Sequence, residues 1–221
     1  MKDFAYIAFY DLDHTILKSN SATALVEESR RRGVMSSAQY RHAVWLSILY
    51  KLNIGDPATM INRMLSWLNG LRESEIKSLC HEIFHAHIKL TIRPEILESF
   101  EMHRANGAAV VLLSSATSPI CEPVADHLEL DGLICTHLET LDGAFTGRTL
   151  GQLVYGMEKK QRMLSFCLEH ESDASNAWYY GDSHTDRFVM EAVGNPVAVS
   201  PDKRLKKIAL RKKWSILADD R

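Results

Sequence analysis

The sequence predicts an α/β fold: a doubly wound parallel sheet carrying an inserted, all-helical unit. Three observations predict it. Apolar runs of strand length recur along the chain (Phe4–Tyr10, Ala108–Leu113, Gly132–Thr136, Ala177–Tyr180, Pro196–Val199) with helical stretches between them. Strands alternating with helices imply parallel neighbours joined by crossovers. Between the first run and the second, from Ser21 to Leu90, strand signals vanish and apolar residues follow a helical period. Finally, three of the runs end on polar residues: Asp11 and Asp13, Ser115, and Asp182 with Asp186.

The elements follow in chain order. Phe4-Ala5-Tyr6-Ile7-Ala8-Phe9-Tyr10 is a continuous apolar run, as expected of a strand buried on both faces. The insertion is predicted as four helices, Ser21–Arg32, Ser37–Leu52, Pro57–Leu68 and Glu73–Leu90. They are separated at Gly33, at Asn53-Ile54-Gly55-Asp56-Pro57 and at Asn69-Gly70, with Ser37, Asp56 and Ser74 as N-caps. Pro94–Asn106 is a helix stopped by Gly107, and the strand Ala108–Leu113 ends at Ser114-Ser115. A helix over Pro119–Leu128 leads to the strand Gly132–Thr136. Asp142-Gly143 between Leu138–Leu141 and Ala144–Gly147 is a hairpin signal. The helix Met157–His170, the strand Ala177–Tyr180 ending at Gly181-Asp182, the helix Thr185–Val193 and the strand Pro196–Val199 complete a Rossmann-like core. The tail, Lys203 through Lys213, reads as helical and basic. The expected division is an α/β core over 1–18 and 92–221, with a helical cap over 19–91.

Composition excludes several functions. A formal charge of −2 on 221 residues offers no electrostatic footprint for nucleic acid. No apolar stretch approaches the ~18 residues a membrane span needs. Cys80, Cys121, Cys135 and Cys167 form no CxxC pair, so reduced, buried thiols in a cytoplasmic protein are expected. The N-terminus enters a core strand at once, without the basic and cleavable pattern of a signal peptide.

Chemistry gathers at the strand ends. In open α/β sheets, ligands bind outside the carboxyl ends of the strands. Asp11 and Asp13 are two residues apart, and two carboxylates that close require a cation to stay ionised together. With Asp182, Asp186, Ser115 and a lysine at the start of a helix (Lys159 or Lys160), the inventory is three or four carboxylates, a hydroxyl and an ammonium. The carboxylates suit Mg²⁺, while the hydroxyl, helix-start amides and lysine suit a phosphoryl dianion. Phosphoryl transfer is the chemistry that this set assembles, with one aspartate as nucleophile and the second handling protons.

The ordered motifs Asp11-Leu12-Asp13-His14-Thr15, Ser115, a lysine, and Gly181-Asp182-Ser183-His184-Thr185-Asp186 resemble the haloacid dehalogenase (HAD) superfamily over nearly the whole chain. The helical insert resembles the cap of its phosphoserine phosphatase-like subgroup. The resemblance implies that Asp11 attacks phosphorus and that Asp13 acts as general acid and then base. It implies Mg²⁺ held by Asp11, the backbone carbonyl of Asp13 and Asp182, with Asp186 in support. Ser115 and the lysine would bind the phosphoryl oxygens, and Gly156-Met157-Glu158-Lys159 matches the subgroup's glycine-x-x-lysine spacing, favouring Lys159 over Lys160. The sequence departs at Asn20, where phosphoserine phosphatases carry an acidic residue nine positions after the nucleophile; this argues against phosphoserine itself. The implied activity is hydrolysis of a small phosphomonoester metabolite, such as a phospho-amino acid or an amino-alcohol phosphate like histidinol phosphate, by a monomer or homodimer. A phosphotransferase or mutase, and a phospho-accepting or binding protein without turnover, remain alternatives.

Other features have plainer readings. His81 and His85 are one helical turn apart, but with His87 they read as surface or packing residues rather than a metal pair. Arg30–Arg32 and the basic tail read as solvated helix surface. His14 lies inside the first motif, where its side chain would face the cap. Trp45, Leu46, Leu49, Trp67 and Leu68 read as the cap's own core.

Overall fold

The computed structural model describes residues 4–51 and 56–218. Its centre is a six-stranded parallel sheet in the order β3-β2-β1-β6-β7-β8. The strands are β1 (Ile7–Tyr10), β2 (Ala109–Thr117), β3 (Gly132–Thr136), β6 (Trp178–Gly181), β7 (Asn195–Val199) and β8 (Ser215–Ala218). The chain leaves β1 toward β2 on one side and reaches β6 on the other, so the carboxyl end of β1 is the topological switch point. Asp11 is the first residue beyond it.

Strand alternation gives each sheet face its own core. Ala8, Tyr10, Val110 and Leu112 join one apolar cluster with Ile96 and Phe100 of α5 (Pro94–Ala105) and Ile120 and Val124 of α6 (Ser118–His127). Ile7, Phe9, Val111 and Leu113 join the other with Met163 and Cys167 of α7 (Gly156–Glu169), Val189 of α8 (Arg187–Met190) and Leu205 of α9 (Lys203–Lys212). The doubly wound expectation therefore holds. β4 (Leu138–Leu141) and β5 (Ala144–Thr149) form the hairpin, with Asp142 at φ 51° and Gly143 at φ 75°, the left-handed pair that a type I′ turn requires.

The insertion is helical as predicted: α1 (Ser21–Arg31), α2 (Ser37–Lys51), α3 (Pro57–Leu65) and α4 (Glu73–Ile83). The chain departs and returns side by side, through an antiparallel bridge between Leu17 and Ile92. Leu25, Trp67, Ile76, Leu79 and Phe84 join the same apolar cluster as Tyr10 and Leu112, so these helices share the core of one sheet face. The backbone ties them to the hairpin as well, since the Gly70 amide donates to the Phe145 carbonyl and the Phe145 amide to the Leu71 carbonyl (2.8 and 2.9 Å).

Several expectations are corrected. The basic tail is helical over Lys203–Lys212, but beyond it Lys213 turns left-handed (φ 56°), ends α9, and Ser215–Ala218 adds an edge strand that carried no sequence signal. The helix expected over Thr185–Val193 is a tight turn over His184–Asp186 followed by a single-turn helix, because Asp186 turns its side chain back onto the Ser183 amide. Ser36 rather than Ser37 caps α2, accepting from the Gln39 amide, and α4 begins at Glu73 with Ser74 already inside its first turn. Leu46, Trp67 and Leu68 are buried, but Trp45 is half exposed on the outer side of α2. His81, His85 and His87 are exposed. Leu52 and Asn53–Gly55 lie outside the described residues.

Candidate active site

Register places the site. Tyr10 pairs with Leu112 on one side and Tyr180 on the other, which sets Asp11 and Asp182 just beyond β1 and β6 and Ser115 at the same edge, inside a β2 that runs on to Thr117 rather than ending at Ser114-Ser115. After Asp11 the chain makes a wide turn, with the Ile16 amide donating to the Asp11 carbonyl and Leu17 to Leu12 (3.3 and 3.0 Å). His14 supplies the bend at φ 61°, and Asp13 within the turn stays extended. This folds Asp13 toward the start of α1. Its Oδ1 accepts from the Ser21 amide (2.8 Å) and its Oδ2 from Asn20 Nδ2 (2.9 Å). Asn20 Oδ1 in turn accepts from the Thr23 amide (2.9 Å), so one side chain both caps α1 and holds Asp13.

Lysine 159 joins the aspartates. Its Nζ donates to Asp11 Oδ1 and to Asp186 Oδ1, both at 2.7 Å. Asp11, Lys159, Asp182 and Asp186 are all buried. Carboxylate oxygens of Asp11, Asp182 and Asp186 lie within 4.8 Å of one another, and among the described residues this is the group that could hold a metal ion. Gly156 opens α7 in a left-handed conformation (φ 55°), and Lys159 stands one turn further on. Lys160 has no place in the cluster's hydrogen bonds. Ser115 sits half-buried near the end of β2, its carbonyl accepting from Thr136 Oγ1 (2.9 Å), which pins the strand end to β3.

Two parts of the site had no sequence signal. The Tyr179 hydroxyl donates to Asp186 Oδ1 (2.7 Å), and Asp186 Oδ2 accepts from the Ser183 amide (3.1 Å). Asp186 is thus spent on Lys159, Tyr179 and its own loop, a holder of the site rather than an open ligand. Gly181 leaves room for this: a Cβ there would lie 2.7 Å from the Tyr179 ring and 3.0 Å from the Asp186 carboxylate. Tyr179 read as one more core residue of an apolar run. Asp202, beyond β7, also touches the loop, its Oδ2 accepting from the His184 amide (2.8 Å).

Burial and neighbouring charge shift the cluster's titration. Burial pushes Asp11 up to about 6, opposed by Lys159 and reinforced by Asp186 and Asp13. Asp13 is also raised by burial, against the pull of its Ser21 contacts. Burial alone would lower Lys159, but Asp11 and Asp186 more than offset it and hold the ammonium above its ordinary value. Three buried carboxylates gathered this closely form an oxygen-rich set of the kind that Mg²⁺ would take.

Comparison with known proteins bears on this geometry. The family profile described as haloacid dehalogenase-like hydrolase matches residues 8–191. The chain belongs to the haloacid dehalogenase-like hydrolase family. A phosphoserine phosphatase of Mycobacterium tuberculosis is 28% identical over 97% of this chain and 71% of its own length. A histidinol-phosphatase of Neisseria meningitidis is 26% identical over 96% of this chain and 97% of its own. The crystal structure of a protein of unknown function from Bordetella pertussis superposes with a TM-score of 0.88 at 24% identity, covering 96% of this chain and 97% of that one. This HAD-type hydrolase therefore has relatives that carry phosphatase names, and its fold is that of solved members. No helix among the described residues is long and apolar enough to cross a membrane.

Proposed function

We propose that this enzyme is a Mg²⁺-dependent phosphatase that hydrolyses a small phosphomonoester through an aspartyl-phosphate on Asp11. The observation that carries the reading is the buried cluster in which Lys159 bridges Asp11 and Asp186 with Asp182 alongside, at the switch point of the sheet. Asp11, Asp182 and the backbone carbonyl of Asp13 would hold Mg²⁺, which when bound neutralises charge on the phosphoryl oxygens and on the attacking carboxylate.

The chain's own residues do the rest. Asp11 attacks phosphorus in line, and the substrate's alkoxide leaves with a proton from Asp13. Asp13, then ionised, takes a proton from water as that water attacks the aspartyl-phosphate, freeing inorganic phosphate and Asp11. Lys159 and Ser115 orient the phosphoryl oxygens, so much of the barrier is met by positioning. Asp186, fixed by Tyr179, keeps Lys159 extended toward Asp11. Residues 19–91 act as the cap, excluding bulk water during attack. Asn20 has its amide committed to Asp13 and Thr23 and bears no charge for an ammonium group. We therefore take the substrate to be a small phosphomonoester metabolite, with phosphoserine disfavoured.

The test is phosphate release from an aryl phosphate and from a panel of alkyl phosphates, histidinol phosphate and phosphoserine included, with and without Mg²⁺. Mg²⁺-dependent, multiple-turnover release that Asp11→Asn abolishes is expected. A single stoichiometric burst, or a near wild-type rate in Asp11→Asn, overturns the reading.

A further inference from the structure

The loop from Gly181 to Asp186 carries Asp182 and is short, so its shape sets where that carboxylate points. Of the four amides from Ser183 to Asp186, three are satisfied inside the loop. Ser183 N donates to Asp186 Oδ2, Thr185 N to Ser183 Oγ and Asp186 N to the Ser183 carbonyl (3.1, 3.3 and 2.9 Å). The fourth, His184 N, crosses to another segment and donates to Asp202 Oδ2 at 2.8 Å, with His184 Nδ1 3.3 Å from the same oxygen. In the reverse direction the Asp202 amide donates to the carbonyl of Asp182 at 2.8 Å. Asp202 therefore grips the loop on both sides of Ser183.

An N-cap alone does not explain this residue. Asp202 Oδ1 already caps α9, accepting from Arg204 N and Leu205 N (2.8 and 2.7 Å). The second oxygen is surplus to the cap and is aimed at the loop. The approach is strained as well: Ser200, a non-glycine residue, is held left-handed at φ 42° in the turn that delivers Asp202, its amide anchored on the Ala218 carbonyl (2.8 Å). Such strain persists where surrounding structure over-determines it, and it clusters at functional sites.

We infer that Asp202 is a positioning residue for Asp182, clamping the loop so that the Asp182 carboxylate is pre-set for a divalent cation. This deepens the phosphatase reading and rests on its assignment of Asp182 as a metal ligand. Partners that orient a ligand in this way typically change metal affinity by about 10–100-fold when removed.

Two substitutions isolate the clamp from the cap. Asp202→Asn keeps an oxygen for Arg204 N and Leu205 N but offers His184 N a donor instead of an acceptor. Asp202→Ser keeps a good N-cap that is too short to reach His184. The experiment is a Mn²⁺ titration of metal-free protein followed by electron paramagnetic resonance, with the thermal midpoint taken on the same samples. Half-saturating Mg²⁺ for aryl phosphate hydrolysis provides the second readout.

The expected result is Mn²⁺ binding about tenfold weaker in both variants, midpoints within about 3 °C of wild type, and activity recovered by raising Mg²⁺. Isotherms that superimpose on wild type overturn the inference. So does a loss of binding that comes only with a collapsed midpoint, which would make Asp202 a scaffold residue. Wild-type protein that binds no Mn²⁺ would fell the metal assignment itself, a result separate from failure of the clamp.

Discussion

Tyr179 and Tyr180 are neighbours in β6, and they serve two different buried networks. Tyr179 faces the cluster with α7, and its hydroxyl donates to Asp186. Tyr180 faces α5, where its hydroxyl meets His103 Nε2 at 2.9 Å, and the other ring nitrogen meets Tyr6 at 2.9 Å. Tyr10 stacks on Tyr180 at 4.2 Å and shares a hydrogen bond with Ser99. This second network is neutral, because burial pushes His103 down to about 4. It closes on itself and asks for nothing more. The first gathers Asp11, Asp182 and Asp186 around Lys159 and, on the proposed reading, takes a cation. Polar burial that satisfies itself belongs to the scaffold, whereas carboxylates clustered at a strand edge mark the place where a ligand can complete the structure.

The largest expected break in this comparison is Asp11→Asn. Turnover should fall on the order of 10⁴-fold, as for other residues that act as a nucleophilic unit. Folding should survive, because asparagine still accepts from Lys159 and one buried carboxylate is gone. Steady-state phosphate release together with a thermal melt checks both halves. Next comes Lys159→Met, which strands Asp11 and Asp186 without their shared cation. Breaking a buried pair costs about 3–5 kcal/mol, and urea unfolding of metal-free protein should show a loss of that size, partly restored by Mg²⁺. No mutation in the neutral network should respond to Mg²⁺.

A smaller effect follows from pH. Asp11 is raised to about 6 from an ordinary carboxylate value. The folded state therefore holds its proton longer than the unfolded chain does. The stability this group contributes is fully present below pH 4 and is lost as pH rises through about 6, a change of about 3 kcal/mol. Mg²⁺ reverses the loss by favouring the carboxylate. The rise in thermal midpoint on adding Mg²⁺ should thus be about 5 °C greater at pH 7.5 than at pH 5. An equal rise at both pH values would break the link between ionisation of Asp11 and cation demand.

Much of this was legible in the sequence, for a physical reason. Buried parallel strands are continuous apolar runs, so a polar residue such as Asp11, Ser115 or Asp182 at the end of one stands out, and the α/β alternation puts those ends on one edge. The spacing from Gly156 favoured Lys159 only by resemblance, and its contacts with Asp11 and Asp186 come from the fold. What escaped lacked contrast. Tyr179 is an aromatic in an apolar run, and nothing local shows that its hydroxyl reaches Asp186. Asp202 looks like an ordinary N-cap, since its second oxygen is spent on His184, eighteen residues away in sequence, a contact made only by the fold. β8 is four residues long and gains its ladder from β7 rather than from its own pattern. The helix behind Asp182 was overdrawn because a capping carboxylate and a helical start share one sequence signature.

The finest distinction lies between the two tyrosines themselves. Tyr180→Phe removes a hydroxyl from the neutral network and leaves His103 Nε2 buried with one partner fewer. A cost of about 1–2 kcal/mol is expected, with Mg²⁺ dependence and turnover untouched, because nothing in that network reaches the carboxylates. Tyr179→Phe removes the same atom from the adjacent residue. Its stability cost in metal-free protein should be no larger, because Asp186 keeps Lys159 and the Ser183 amide as donors. Its signature should instead be a rise of several-fold in half-saturating Mg²⁺, since Asp186 loses the contact that fixes it behind Lys159. Paired melts and Mg²⁺ titrations of the two variants measure this directly. If both move stability alone, Asp186 is held well enough by Lys159 and its loop, and the phenol of Tyr179 is scaffold like that of its neighbour.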